Sequence, residues 1–191
     1  MAPPRILLLA GSTAPDSPAS RLTAAFAREI AFLDGEATLI ALADYPLPLF
    51  DADRAETSVP GAVQKLRGLL GGHGAAFLAT PSLAGGLPAL FRNALEWLRP
   101  PGGRPRGGQA PLFALAGVAD DDVTAAAALA DLERIIARGF GATIVGGGLA
   151  VGRASLAFDA RGRLDDPHLA AALQALAREL VHASRRLAPE I

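Results

Sequence analysis

The chain has 191 residues, 51% of them hydrophobic and 19% charged, with a formal net charge of −1. So apolar a chain buries a sizeable core, which excludes global disorder, and so balanced a charge offers no basic face for nucleic acid. There is no Cys, and His73, His168 and His182 are too scattered for metal-ligand spacing, so disulfides, a thiolate nucleophile and a Cys- or His-built metal centre are excluded.

The length suits one domain over residues 1–191. Residues 5–10 form the first apolar run. It is far shorter than the roughly 20 residues that span a bilayer, and Arg5 alone is a poor signal-peptide n-region, so it reads as a buried strand of a cytoplasmic protein with no membrane partner. Residues 19–33 read as a helix, with Leu22, Phe26, Ile30 and Leu33 on one stripe. Residues 37–42 are the second run. Residues 60–70 predict a helix with Ser58 as N-cap. Residues 75–80 are the third run, followed by a helix over 88–98 with Pro at its start. Residues 102–108 are Gly-rich and read as a surface loop. Residues 111–117 are the fourth run, and residues 121–138 a helix with acidic residues in its first turn, favourable against the macrodipole. Residues 142–145 are the fifth run, and residues 149–164 an irregular extension or short hairpin. A last helix covers 166–187. Apolar runs alternating with helices specify an α/β fold: a three-layer, doubly wound sandwich around a five-stranded parallel sheet.

In such a sheet the ligand crevice lies outside the carboxyl ends of the strands, at the switch in strand order. Three loops leave those ends, residues 11–18, 81–87 and 118–122. The first carries Ser12, Thr13, Ser17, Ser20 and Arg21 around a helix N-terminus. Two readings stand: hydroxyls, backbone N–H groups and the helix dipole binding a phosphate, or Ser17 and Ser20 simply capping the helix. In the second loop Ser82 is the one side-chain hydroxyl, and it is also an ordinary turn residue after Pro81. The acidic run Asp120, Asp121 and Asp122 either repels an anion in the crevice or caps the following helix.

These loops carry a resemblance. Gly11-Ser12, then Ser17 and Leu22, with Asp44-Tyr45-Pro46-Leu47-Pro48-Leu49-Phe50-Asp51, Thr80-Pro81 and above all Gly85-Gly86-Leu87-Pro88-Ala89-Leu90-Phe91-Arg92-Asn93-Ala94-Leu95-Glu96-Trp97-Leu98, resembles the NADPH-dependent FMN reductase family. The resemblance implies a flavodoxin-like fold, FMN as cofactor, NADPH or NADH as co-substrate, a small-molecule electron acceptor such as a flavin or quinone, and a homodimer or homotetramer. It implies cofactor contacts from Ser12, Thr13, Ser17, Ser20 and Arg21 in the first loop, from Pro81, Ser82, Leu83, Ala84 and Gly85 in the second, and from Gly117 and Val118 at the third, with no catalytic side chain and no metal. Departures fall in all three loops. Ala14 and Ala19 stand where the family usually has Arg and Asn. Pro81-Ser82-Leu83-Ala84-Gly85 stands where it usually reads Pro-Glu-Tyr-Asn-Gly, and Val118-Ala119-Asp120 where it is usually Gly-rich. Arg21 is the candidate to supply the missing charge. The alternative is a non-catalytic scaffold that has lost FMN and works through protein contacts or another small ligand. An electron-carrier flavodoxin is disfavoured by the near-neutral charge and by Leu83 in place of the ring aromatic.

Other chemistry is excluded. There is no Gly-x-Ser-x-Gly elbow, no Walker A loop, and no Asp at the strand ends as a phospho-acceptor needs. Gly146, Gly147 and Gly148 read as a plain turn. His73, between glycines, reads as a solvent-facing turn residue, and His168 and His182 as helix surface. Trp97 reads as core or subunit contact, and Phe50 as exposed enough to serve a dimer interface.

Overall fold

The computed structural model describes residues 2–100 and 110–187; the Gly-rich loop expected over 102–108 lies outside the described residues. The elements run β1 (Arg5–Ala10), α1 (Pro18–Phe32), β2 (Glu36–Ile40), α2 (Ala52–Thr57), α3 (Gly61–Gly71), β3 (Ala75–Pro81), α4 (Ala89–Leu98), β4 (Leu112–Val118), α5 (Asp122–Phe140), β5 (Thr143–Ile144), β6 (Leu149–Val151) and α6 (Pro167–Leu187). The sheet is parallel, in the order β2-β1-β3-β4-β5, with β6 also on β4.

β1, β3 and β4 are apolar at nearly every position because both sheet faces are covered. On one face Ile6, Leu8, Phe77, Ala79, Ala114, Ala116 and Val118 meet α1 and α6. Phe26 of α1 stacks on Phe77 of β3, ring centroids 3.9 Å apart. On the other face Leu7, Leu9, Leu78, Phe113 and Leu115 meet Leu66 of α3, Phe91 and Leu95 of α4, and Leu132 and Ile136 of α5. Each fully buried Leu or Phe contributes about 1.5–3 kcal/mol relative to exposure, so these two layers carry most of the fold.

Several sequence expectations are corrected. The fifth strand is split: Ile144 pairs with Phe113 and Leu149 with Ala116, so the outer strand takes two residues more than β4 to cover the same distance. Gly146, Gly147 and Gly148 absorb the excess at φ of 73°, 66° and 74°, a backbone only glycine adopts freely. The stretch expected to be irregular or hairpin is thus β6, a short 3₁₀ turn, and a hairpin closed by Phe158 and Leu164. Ser58 does not cap α3; Pro60 occupies the cap position, with no side-chain hydrogen bond. α2 was not expected. His73 is buried, not solvent-facing. Its Nδ1 lies 2.6 Å from the Leu69 carbonyl and its Nε2 2.9 Å from Thr38 Oγ1, which fixes Nδ1 as donor and ties α3 to β2. Phe50 is half-buried rather than displayed. Its ring meets Trp97 edge-on at 5.1 Å, while Trp97 is buried and its Nε1 donates to the Pro48 carbonyl. His168 and His182 are exposed on α6.

α5 lies directly on β4. A Cβ at Gly117 would sit 2.2 Å from the Ala125 carbonyl oxygen and 2.5 Å from the Leu129 nitrogen, both main-chain atoms. Gly117→Ala is therefore expected to destabilise the protein by about 1–3 kcal/mol or more, read as a lower urea midpoint at unchanged slope.

Candidate functional site at the carboxyl edge of the sheet

After β1 the chain turns to α1 on one face of the sheet; after the adjacent strand β3 it turns to α4 on the other. The two loops leave this edge toward opposite faces, the place where open α/β sheets have their ligand crevice. Its floor is tight. Gly11 donates to the Ala79 carbonyl at 2.7 Å, and a Cβ on Gly11 would lie 2.6 Å from the Phe91 ring. Glycine here lets the end of β1 press against the start of α4.

The first wall is the β1–α1 loop. Ser17 caps α1, its Oγ accepting from Ser20 N at 3.1 Å. The Ser17 and Ser20 hydroxyls lie 2.8 Å apart, and Ser20 Oγ donates to the Ala14 carbonyl. These two hydroxyls therefore shape the loop. Ser12 Oγ accepts from Ala14 N, leaving its own proton to donate, and Thr13 is exposed. A phosphate at this helix end meets the Ser12 and Thr13 hydroxyls and the positive end of a 15-residue helix, although Pro18 has no N–H and Ser17 takes that of Ser20. Arg21 is half-buried, its guanidinium carbon 4.7 Å above the Phe158 ring and its Nη2 donating to the Asp159 carbonyl at 3.2 Å.

The second wall follows β3. Leu83 and Gly86 exchange both backbone hydrogen bonds, at 2.8 and 3.0 Å, across a two-residue turn in which Ala84 and Gly85 have φ of 50° and 79°. This is the double left-handed turn that Asn-Gly favours. Ala84 holds that shape without the side chain that eases it, and Leu83 is 60% exposed beside it. Ser82 N donates to the Val118 carbonyl, tying this wall to β4. Val118 turns its side chain into the core under α1 and α6, and Gly117 is covered by α5, so both set the position of the wall through main-chain atoms.

The acidic run starts α5. Asp121 Oδ1 accepts from Thr124 N at 2.8 Å, Asp120 accepts from Ser155 Oγ at 2.8 Å, and Asp122 packs on Gly152. The Thr124 backbone N–H, then its hydroxyl, hold the Asp121 carboxyl below the usual carboxylate range.

A model of the NADPH-dependent FMN reductase family matches residues 4–155. The chain belongs to that family. Membership makes it an oxidoreductase that works with FMN and a reduced nicotinamide. Solved structures share the fold at low identity. The flavoenzyme NAD(P)H:(acceptor) oxidoreductase FerB from Paracoccus denitrificans is 21% identical, covers 96% of this chain and 98% of its own, and has a TM-score of 0.69. An apo NADH:FMN oxidoreductase is 16% identical over 97% of this chain and 91% of its own, with a TM-score of 0.67. The NAD(P)H:quinone oxidoreductase from Methanothermobacter marburgensis is 14% identical over 100% of both chains, with a TM-score of 0.63. A search of curated proteins by sequence returns no significant match. No helix among the described residues is long and apolar enough to cross a membrane.

Two expectations follow from the walls. Ala84→Gly and Ala84→Asn are each expected to stabilise the protein by about 0.5–1 kcal/mol by relieving a left-handed alanine, measured by thermal unfolding. The Asp121 cap binds its proton less readily folded than unfolded. Its contribution is present above the unfolded value near 3.8 and is lost as pH falls through the lowered folded one. Asp121→Ala is expected to lower Tm at pH 7, with the deficit shrinking below about pH 4, while Asp121→Asn, an equally good cap, keeps most of the stability without that pH dependence.

Proposed function

We propose that the chain is an NAD(P)H-dependent flavin or quinone oxidoreductase that holds FMN in the crevice between the β1 and β3 loops. The observation that carries the reading is the pairing, across this crevice, of a hydroxyl-bearing loop at the positive end of a long helix with a stiff, partly apolar turn: one end suits a phosphate, the other a planar ring. Ser12 and Thr13 donate to the phosphate at the positive end of α1. Ser17 and Ser20 keep the loop in shape, and Arg21 supplies positive charge. Pro81, Ser82, Leu83, Ala84 and Gly85 line the ring, with the Ser82 hydroxyl as donor. Gly117 and Val118 hold that wall in place through the Val118 carbonyl. FMN held there would supply hydride-transfer chemistry between a reduced nicotinamide and a small-molecule acceptor. The protein binds, orients and shields, and needs no acid–base pair.

The assembly proposed is a homodimer or homotetramer in the cytoplasm. Exposed Leu49, Leu83 and Leu90, at the mouth of the crevice and along α4, support an apolar contact between copies.

The test is the visible spectrum of the purified protein, followed by FMN titration under fluorescence and an NAD(P)H oxidation assay. A flavin band, or saturable quenching at low-micromolar FMN, with turnover of either nicotinamide, is expected. Leu83→Tyr with Ala84→Asn is expected to change FMN affinity only a few-fold, since main-chain groups carry most of the recognition. A colourless wild type that gains flavin only with those two changes would instead mean a scaffold that has lost its cofactor.

A further inference from the structure

Three observations converge on one cation. Arg21 sits one turn inside α1, and helical side chains lean back toward the N-terminus, here toward the proposed phosphate end. It is half-buried and pairs with no carboxylate among the described residues, whereas buried charge is normally paired. It is also held by an element outside the family match, which ends at residue 155: its guanidinium carbon lies over the ring of Phe158 and the Asp159 carbonyl takes one N–H. The Asp159 carbonyl takes one of its five N–H groups, and the other four have no partner among the described residues.

The hairpin is built to hold that arrangement. Phe158 and Leu164 close it. The Asp159 carboxylate is spent inside, accepting from Arg161 N at 2.8 Å, Arg163 N at 2.9 Å and Arg163 Nε at 3.2 Å, so it does not neutralise Arg21. The backbone N–H of Arg163 foremost holds that carboxyl below its ordinary range. Arg28, two turns further along α1, donates to the Gly162 carbonyl and pins the far end. A cavity of about 320 Å³ lies between the hairpin, α1 and α6, with Arg28, Asp159, Arg163 and Leu173 in its lining.

We propose that the hairpin of residues 158–164 is a positioning element. It presents Arg21 to the phosphate of the flavin nucleotide, with Phe158 and the Asp159 carbonyl setting the preference for FMN over riboflavin. The proposal rests on the cofactor reading above. It makes Arg21 the reader of the phosphate and Phe158 a residue that acts through Arg21.

The experiment is titration of the full chain, freed of flavin by dialysis, with FMN and with riboflavin at low and high salt. Circular dichroism melts confirm that each variant is folded. Arg21→Gln is expected to weaken FMN about tenfold to a hundredfold while moving riboflavin less than about twofold. Phe158→Leu keeps the bulk and removes the ring face, and is expected to reduce the FMN-to-riboflavin preference about three- to tenfold. Arg21→Lys is expected to recover part of the preference, and the preference in wild type to fall with salt. An unchanged preference in Arg21→Gln, or a loss there with none in Phe158→Leu, overturns the proposal and leaves the cofactor reading standing. A wild type that binds neither flavin overturns both.

Discussion

The carboxyl edge of this sheet is shaped by a constraint far from any ligand: β1, β3 and β4 are apolar on both faces and must be covered on both. Helices have to be divided between the two sides. Because β1 and β3 are neighbours whose following helices go to opposite sides, their loops cannot close over the edge. The crevice is a by-product of burying Leu7 and Leu9 under one layer and Ile6 and Leu8 under the other. The same demand explains the glycines around it. Gly11 and Gly117 are small because Phe91 and the α5 backbone stand where a Cβ would go, so packing and site geometry select the same residues.

Much of this was legible in the sequence because it is local. β1 is read to the residue, since a continuous apolar run between Pro4 and Gly11 has one interpretation, and the amphipathic stripe of α1 places that helix to within a residue at each end. Motif resemblance then identified the walls of the crevice, and the two-residue turn explains in backbone terms why an Asn-Gly pair suits a position where this chain has Ala84 and Gly85.

What escaped the sequence depends on partners distant along the chain. His73 looked like a turn residue between glycines; Thr38, which buries and bonds it, comes from another strand. Arg21 was legible as a charge near a phosphate loop, but its support, Phe158 and Asp159, lies 138 residues on for the hydrogen bond. No periodicity announces either pairing. α2, six residues of mixed polar character, carries no stripe to be read. The β5–β6 interruption escaped because three glycines in a row resemble any turn. Only the register against β4 shows one strand resuming beyond them.

That interruption also bears on solubility. The outer strand beyond β4 offers a two-residue and a three-residue piece separated by a left-handed kink, so no long straight row of free N–H and C=O groups faces solvent on that side. A growing aggregate that extends by adding strands finds no template there. The glycine run acts as a blunted seam, so among the described residues the border at β2, not this one, offers an unbroken strand for an intruding one.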